Sequence, residues 1–80
     1  MEKRLLTFEF DTDHVEIHGN ESGLRYLIEQ LQQLIDCTKA NQFDHIHLMT
    51  EEWGGHQLTS TLQGKGEIID QVTIVCWKNV

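Results

Sequence analysis

Leu24-Arg25-Tyr26-Leu27-Ile28-Glu29-Gln30-Leu31-Gln32-Gln33-Leu34-Ile35-Asp36 decides the fold of this chain. Leu24, Leu27, Ile28, Leu31, Leu34 and Ile35 recur at spacings of three and four, which sets them on one stripe of a helix, while Arg25, Glu29, Gln30, Gln32, Gln33 and Asp36 fill the rest of its circumference. In proteins such a helix draws most of its stability from a surface packed against that stripe, so the sequence must also build a sheet. Asn20 or Ser22 is placed to cap the helix, with Glu21 near its positive end. The helix is expected to fray over Cys37 to Ala40, with Asn41-Gln42 opening the next connection.

The flanking segments alternate as strands do. Leu6, Phe8 and Phe10 interleave with Leu5, Thr7 and Glu9, and beyond Asp11-Thr12-Asp13 a second alternation sets Val15 and Ile17 against His14, Glu16 and His18. With Asp11-Thr12 as a two-residue turn, Phe8 opposes Val15 and Leu6 opposes Ile17, giving a hairpin with one apolar and one polar face. Phe43 to Met49 reads as a third strand, with Ile46 and Leu48 toward the helix and His45 and His47 away from it. Thr50 to Glu67 is a long glycine-bearing loop, expected to hold a short turn of structure at Leu58 to Leu62. Ile68 to Trp77 is the fourth strand, with Val72, Ile74 and Cys76 on one face and Thr73, Val75 and Trp77 on the other.

These elements describe a single domain over residues 1–80, an α+β two-layer β-β-α-β-β fold with one helix packed on a four-stranded antiparallel sheet. So short a chain buries only about 65% of the surface its unfolded form exposes, which leaves little interior to spare. One helix covers one face of a sheet. The other face, bearing Met49, Val75 and Trp77, is therefore a candidate dimer or partner surface, although Trp77 near the C-terminus also reads as a packing residue.

The formal net charge is −7, and the acidic residues are spread along the chain. Without a basic stripe, nucleic acid and anionic membrane are poor partners, and a basic protein surface is favoured. An alternating strand follows the first residues in place of an apolar leader, and no run is long enough to cross a bilayer, so a cytoplasmic protein is expected. Cys37 and Cys76 read as reduced, semi-buried packing residues.

Asp44-His45-Ile46-His47-Leu48-Met49-Thr50-Glu51-Glu52-Trp53-Gly54-Gly55-His56-Gln57-Leu58 carries the candidate chemistry, since a strand runs there into an acidic, aromatic loop. His45 and His47 share a strand face about 6.6 Å apart, compatible with a metal ion if His56, Glu51 or Glu52 supplies a third ligand. His14 and His18 are about 13 Å apart on a strand, too far to share an ion directly, and read as surface residues. Glu51-Glu52 beside His56 has the groups for acid/base work, but no nucleophile motif, phosphate-cradling loop or dinucleotide fingerprint accompanies it. A Trp between acidic residues and glycines also suits an aromatic anchor for a protein partner, through Glu51, Glu52, Trp53 and His56. Spacing does not decide among these readings.

The stretch from Asp44 to Ser60, with its His-x-His-Leu-Met run and Trp-Gly-Gly loop, resembles the immunity protein 32 family of bacterial polymorphic toxin systems. Gly19-Asn20-Glu21-Ser22-Gly23-Leu24 is similar to that family's turn into its helix, and Glu67-Ile68-Ile69 with Val72 to Trp77 to its closing strand. The resemblance implies a non-enzymatic antidote, made in the bacterial cytoplasm, that binds and occludes a cognate toxin domain; no cofactor is expected. Many such toxins act on nucleic acid through basic clefts, which an acidic inhibitor would complement. The family supplies no site residues to carry over.

Overall fold

The computed structural model describes residues 3–38 and 43–78. The elements, in chain order, are β1 (Leu6–Asp11), β2 (His14–Gly19), the helix α1 (Glu21–Thr38), β3 (Phe43–Met49), a short 3-10 turn (Glu51–Trp53), β4 (Glu67–Ile68) and β5 (Gln71–Trp77). Among the described residues the fold is α+β, with one α-helix and antiparallel strands. Ala40 and Asn41-Gln42, expected to end the helix and begin the next connection, lie outside the described residues.

Asn20 caps α1. Its Oδ1 accepts hydrogen bonds from the Gly23 amide at 2.8 Å and the Leu5 amide at 3.0 Å, so one side chain closes the helix and ties it to the start of β1. Gly23 is required by the same crossing. A Cβ there would stand 1.6 Å from the Leu5 carbonyl oxygen, so only glycine lets that segment pass over the first helical turn.

The strands form two small sheets, one of order β2-β1-β4 and one pairing β3 with β5, where the sequence reading expected a single sheet of four. The final strand is divided. Glu67–Ile68 pairs with β1, whereas Gln71–Trp77 pairs with β3, and the crossing point is marked by Ile69 donating to the Phe8 carbonyl at 2.8 Å and Thr50 donating to the Asp70 carbonyl at 3.0 Å. The long loop holds the ladders apart by inserting its own backbone between them. Leu58 donates to the Met49 carbonyl at 3.2 Å, and Thr59 donates to the Leu6 carbonyl at 2.7 Å. No local helix forms at Leu58 to Leu62; the helical turn of the loop is at Glu51–Trp53 instead.

The hairpin turns over Thr12-Asp13, one residue later than expected. Phe8 therefore opposes Ile17, Phe10 opposes Val15, and Glu9 opposes Glu16. The slip is two residues in register, so each side chain keeps its expected face while its partner changes. Thr12 takes φ 59°, in the left-handed region.

Leu6, Phe8, Leu48 and Leu58 are the buried centre, with Tyr26, Leu27, Ile46, Ile69, Val72 and Ile74 packed around them. Ile46 and Leu48 turn inward while His45 and His47 are exposed, as the alternation predicts. The helix packs chiefly on β3 and β5, which divides its apolar stripe: Leu34 is buried, but Leu24, Ile28 and Ile35 remain exposed, as do Phe10, Val15 and Ile17 on the hairpin. Cys37 is exposed, not semi-buried as expected, and Cys76 is half-buried; no disulfide joins them.

Candidate functional site

The acidic aromatic loop is anchored at its root by Thr50. This buried residue donates through Oγ1 to Asp70 Oδ1 at 2.8 Å, and its carbonyl accepts from the amides of Trp53 and Gly55, each at 3.0 Å. The chain therefore winds through one 3-10 turn and reverses at Gly54, whose φ of 86° is natural to glycine and whose amide closes the turn on the Glu51 carbonyl at 2.9 Å. Gly55 is needed for closeness, because a Cβ there would stand 2.6 Å from both the Met49 Cβ and its carbonyl oxygen. Gln57 Oε1 then accepts from the amides of Met49 at 3.1 Å and His56 at 3.2 Å, and Leu58 is buried beneath.

What this frame holds outward is the group singled out in the sequence. Glu51, Glu52 and His56 are exposed, and Trp53 is 58% exposed. Beside them lies a groove of about 330 Å³ bordered by Lys3, Arg4, Glu51, His56 and Thr59. Arg4 forms one wall, its guanidinium donating to the His56 carbonyl at 2.7 Å and lying 3.8 Å over the Tyr26 ring. A hydrogen-bonded loop offering an indole, two carboxylates and an adjacent groove has the parts of a protein-binding surface.

The outer face of β3 and β5 is a second exposed surface. Trp77 is 60% exposed and stacks on Phe43 at a centroid distance of 5.1 Å, so it is a surface residue and not the packing residue expected. Val75 is exposed beside it, whereas Met49 is half-buried, with Gly55 of the loop against it. His45 and His47 stand on this face with ring centroids 4.9 Å apart, and His47 Nδ1 shares a hydrogen bond with Thr73 Oγ1 at 3.0 Å. Among the described residues, neither His56, Glu51 nor Glu52 completes a three-ligand group with this pair.

The polar face of the hairpin holds a cluster that the sequence reading passed over. Glu9 is 1% exposed, because residues 59–64 drape across this face, and its carboxylate accepts from the amides of Gln63 at 2.7 Å and Gly64 at 2.9 Å. His18 Nε2 lies 3.7 Å from Glu9 Oε1 and 2.9 Å from Glu16 Oε1, and His14 Nε2 lies 3.1 Å from the other Glu16 oxygen. The hydrogen bond to Glu16 raises the His14 pKa, and the bonds from His18 and then His14 lower that of Glu16. The signal was present in the alternation, since Glu9, Glu16 and His18 share a face. With the turn placed one residue early, Glu9 faced His14 and the three never met.

A protein-family model described as Immunity protein 32 matches residues 14–76. No curated protein and no solved structure matches the chain. The matched span runs from the second strand to near the end of the last, and contains the whole of the acidic loop.

Proposed function

The chain belongs to the immunity protein 32 family, and from that premise we propose that it is a non-enzymatic immunity protein of a polymorphic toxin system, which binds and inhibits a cognate toxin domain in the bacterial cytoplasm. The observation that supports a binding role is the turn Glu51–Trp53, hydrogen-bonded at its ends to Thr50 and Gly54 yet exposed along its length. In this reading Trp53 anchors the partner, while Glu51 and Glu52 meet basic groups and His56 borders the contact. Occlusion is sufficient for inhibition when the partner's basic residues belong to its substrate cleft.

The test is coexpression with a toxin domain sought among the neighbouring genes, reading growth rescue in cells and affinity with purified components. Rescue and a stable complex are expected. Trp53→Ala should weaken the complex by about 2 kcal/mol while leaving the fold intact, because the indole is largely outside the core. A folded variant of unchanged affinity would remove the anchor role, and absence of both complex and rescue would sink the immunity reading.

Self-association through the outer face of β3 and β5 is a second reading, favoured by the exposed Phe43–Trp77 stack and Val75. Met49 contributes less to it than the sequence suggested, being partly covered by the loop. Sedimentation at increasing concentration tests this directly, and a strictly monomeric species would exclude it.

A further inference from the structure

We infer that Glu9, Glu16 and His18 form a binding site for one divalent transition-metal ion, with Zn²⁺ the best match to its donors. The three ligand atoms lie within 4.8 Å of one another, a span that a single ion can bridge. Tetrahedral coordination at about 2.0–2.2 Å sets neighbouring ligands roughly 3.3 Å apart. His18 Nε2 stands 2.9 Å from Glu16 Oε1 and 3.7 Å from Glu9 Oε1, on either side of that value. One imidazole and two carboxylates suit Zn²⁺, which accepts three protein ligands and keeps a fourth position for water.

An independent observation concerns the space beside the ligands. Gly64 lies against all three: a Cβ there would meet Glu9 Oε1 at 2.8 Å, Glu16 Oε1 at 3.1 Å and His18 Nε2 at 3.3 Å. The glycine therefore keeps open a spot onto which the three donor atoms converge. Charge points the same way. Glu9 is almost completely buried, yet the Gln63 and Gly64 amides that donate to it are neutral, so two adjacent carboxylates are faced by His18 between them and by His14 at the far oxygen of Glu16. A doubly charged cation would balance that pair, held by the neutral His18 imidazole through Nε2 with the ring proton on Nδ1. His14, bonded to the other oxygen of Glu16, would orient that ligand without touching the ion. Bound metal would join β1 to β2, and the segment at Gly64 would be held to the site through its amide bond to Glu9.

The experiment uses untagged protein stripped with chelator and dialysed, then titrated calorimetrically with Zn²⁺ alone. One equivalent should bind, and the melting temperature should rise by roughly 10–20 °C at a hundredfold excess over Kd. His18→Ala and Glu16→Gln change partly exposed side chains and should each weaken binding by at least about tenfold, with circular dichroism confirming the fold. Gly64→Ala should weaken it as well by filling the open spot, whereas the double variant His45→Ala/His47→Ala should bind as before. The site is overturned by absence of binding up to millimolar Zn²⁺, by affinity that survives in folded His18→Ala and Glu16→Gln, or by affinity lost with His45 and His47. No toxin enters any of these measurements, so the result is independent of the immunity reading.

Discussion

At Thr12 one backbone angle decided which partners the hairpin brings together. A β-branched residue at φ 59° is strained by its own side chain, and sequence reasoning expects Asn or Gly in such a turn. Thr12→Gly should therefore stabilise the protein by about 0.5–1 kcal/mol, since relief of the left-handed strain exceeds the added freedom of the unfolded chain. A rise in the urea midpoint at unchanged slope checks this, and a fall would show that the Thr12 hydroxyl, which donates to Asp11 at 3.2 Å, matters more than the strain. Gly23 is the opposite case. Gly23→Ala drives a methyl into the Leu5 carbonyl, a backbone atom that cannot swing away, and should cost about 3 kcal/mol by the same measurement. Neither position was legible in the sequence: the strained Thr hid the true turn and with it the meeting of Glu9, Glu16 and His18, and nothing in the pattern around Gly23 marks the crossing of Leu5 over it.

Elements whose signal is a local period were legible, and those made by distant backbone contacts were not. The third strand occurs at Phe43–Met49 as the alternation gives it, and α1 begins directly after its capping Asn20. The division of the last strand follows from loop residues hydrogen-bonded to both Met49 and Leu6, a pairing that leaves no periodic trace in residues 50–66. Leu58 is the telling residue, since it lies in a loop and yet is part of the buried centre with Leu6, Phe8 and Leu48. Leu58→Ala should lower stability by about 3 kcal/mol, from lost burial and the cavity left behind. Because Leu58 holds down the segment that carries Trp53, amide exchange at residues 51–57 should accelerate more than exchange in the outer half of α1. Equal acceleration in both would mean that the loop has no stability of its own to lose.

For the whole molecule, charge and shape assign different tasks to neighbouring residues. A net charge of −7 attracts a basic partner over distances where no side chain touches, and salt screens that attraction within about 10 Å at moderate ionic strength. Glu51 and Glu52 are exposed beside an indole that projects from the same turn, so steering and anchoring are adjacent but separable. In the proposed complex with a toxin domain, the double variant Glu51→Gln/Glu52→Gln should slow association about threefold at low salt while dissociation changes little. Trp53→Ala should do the reverse, because contacts made after encounter are lost through a faster off-rate. In half-molar salt the association rates of wild type and the glutamine variant should converge. If they remain apart, the two carboxylates make desolvated contacts in the complex itself; if the variant associates normally at every salt concentration, steering comes from the other acidic residues, and the loop contributes to affinity through Trp53 alone.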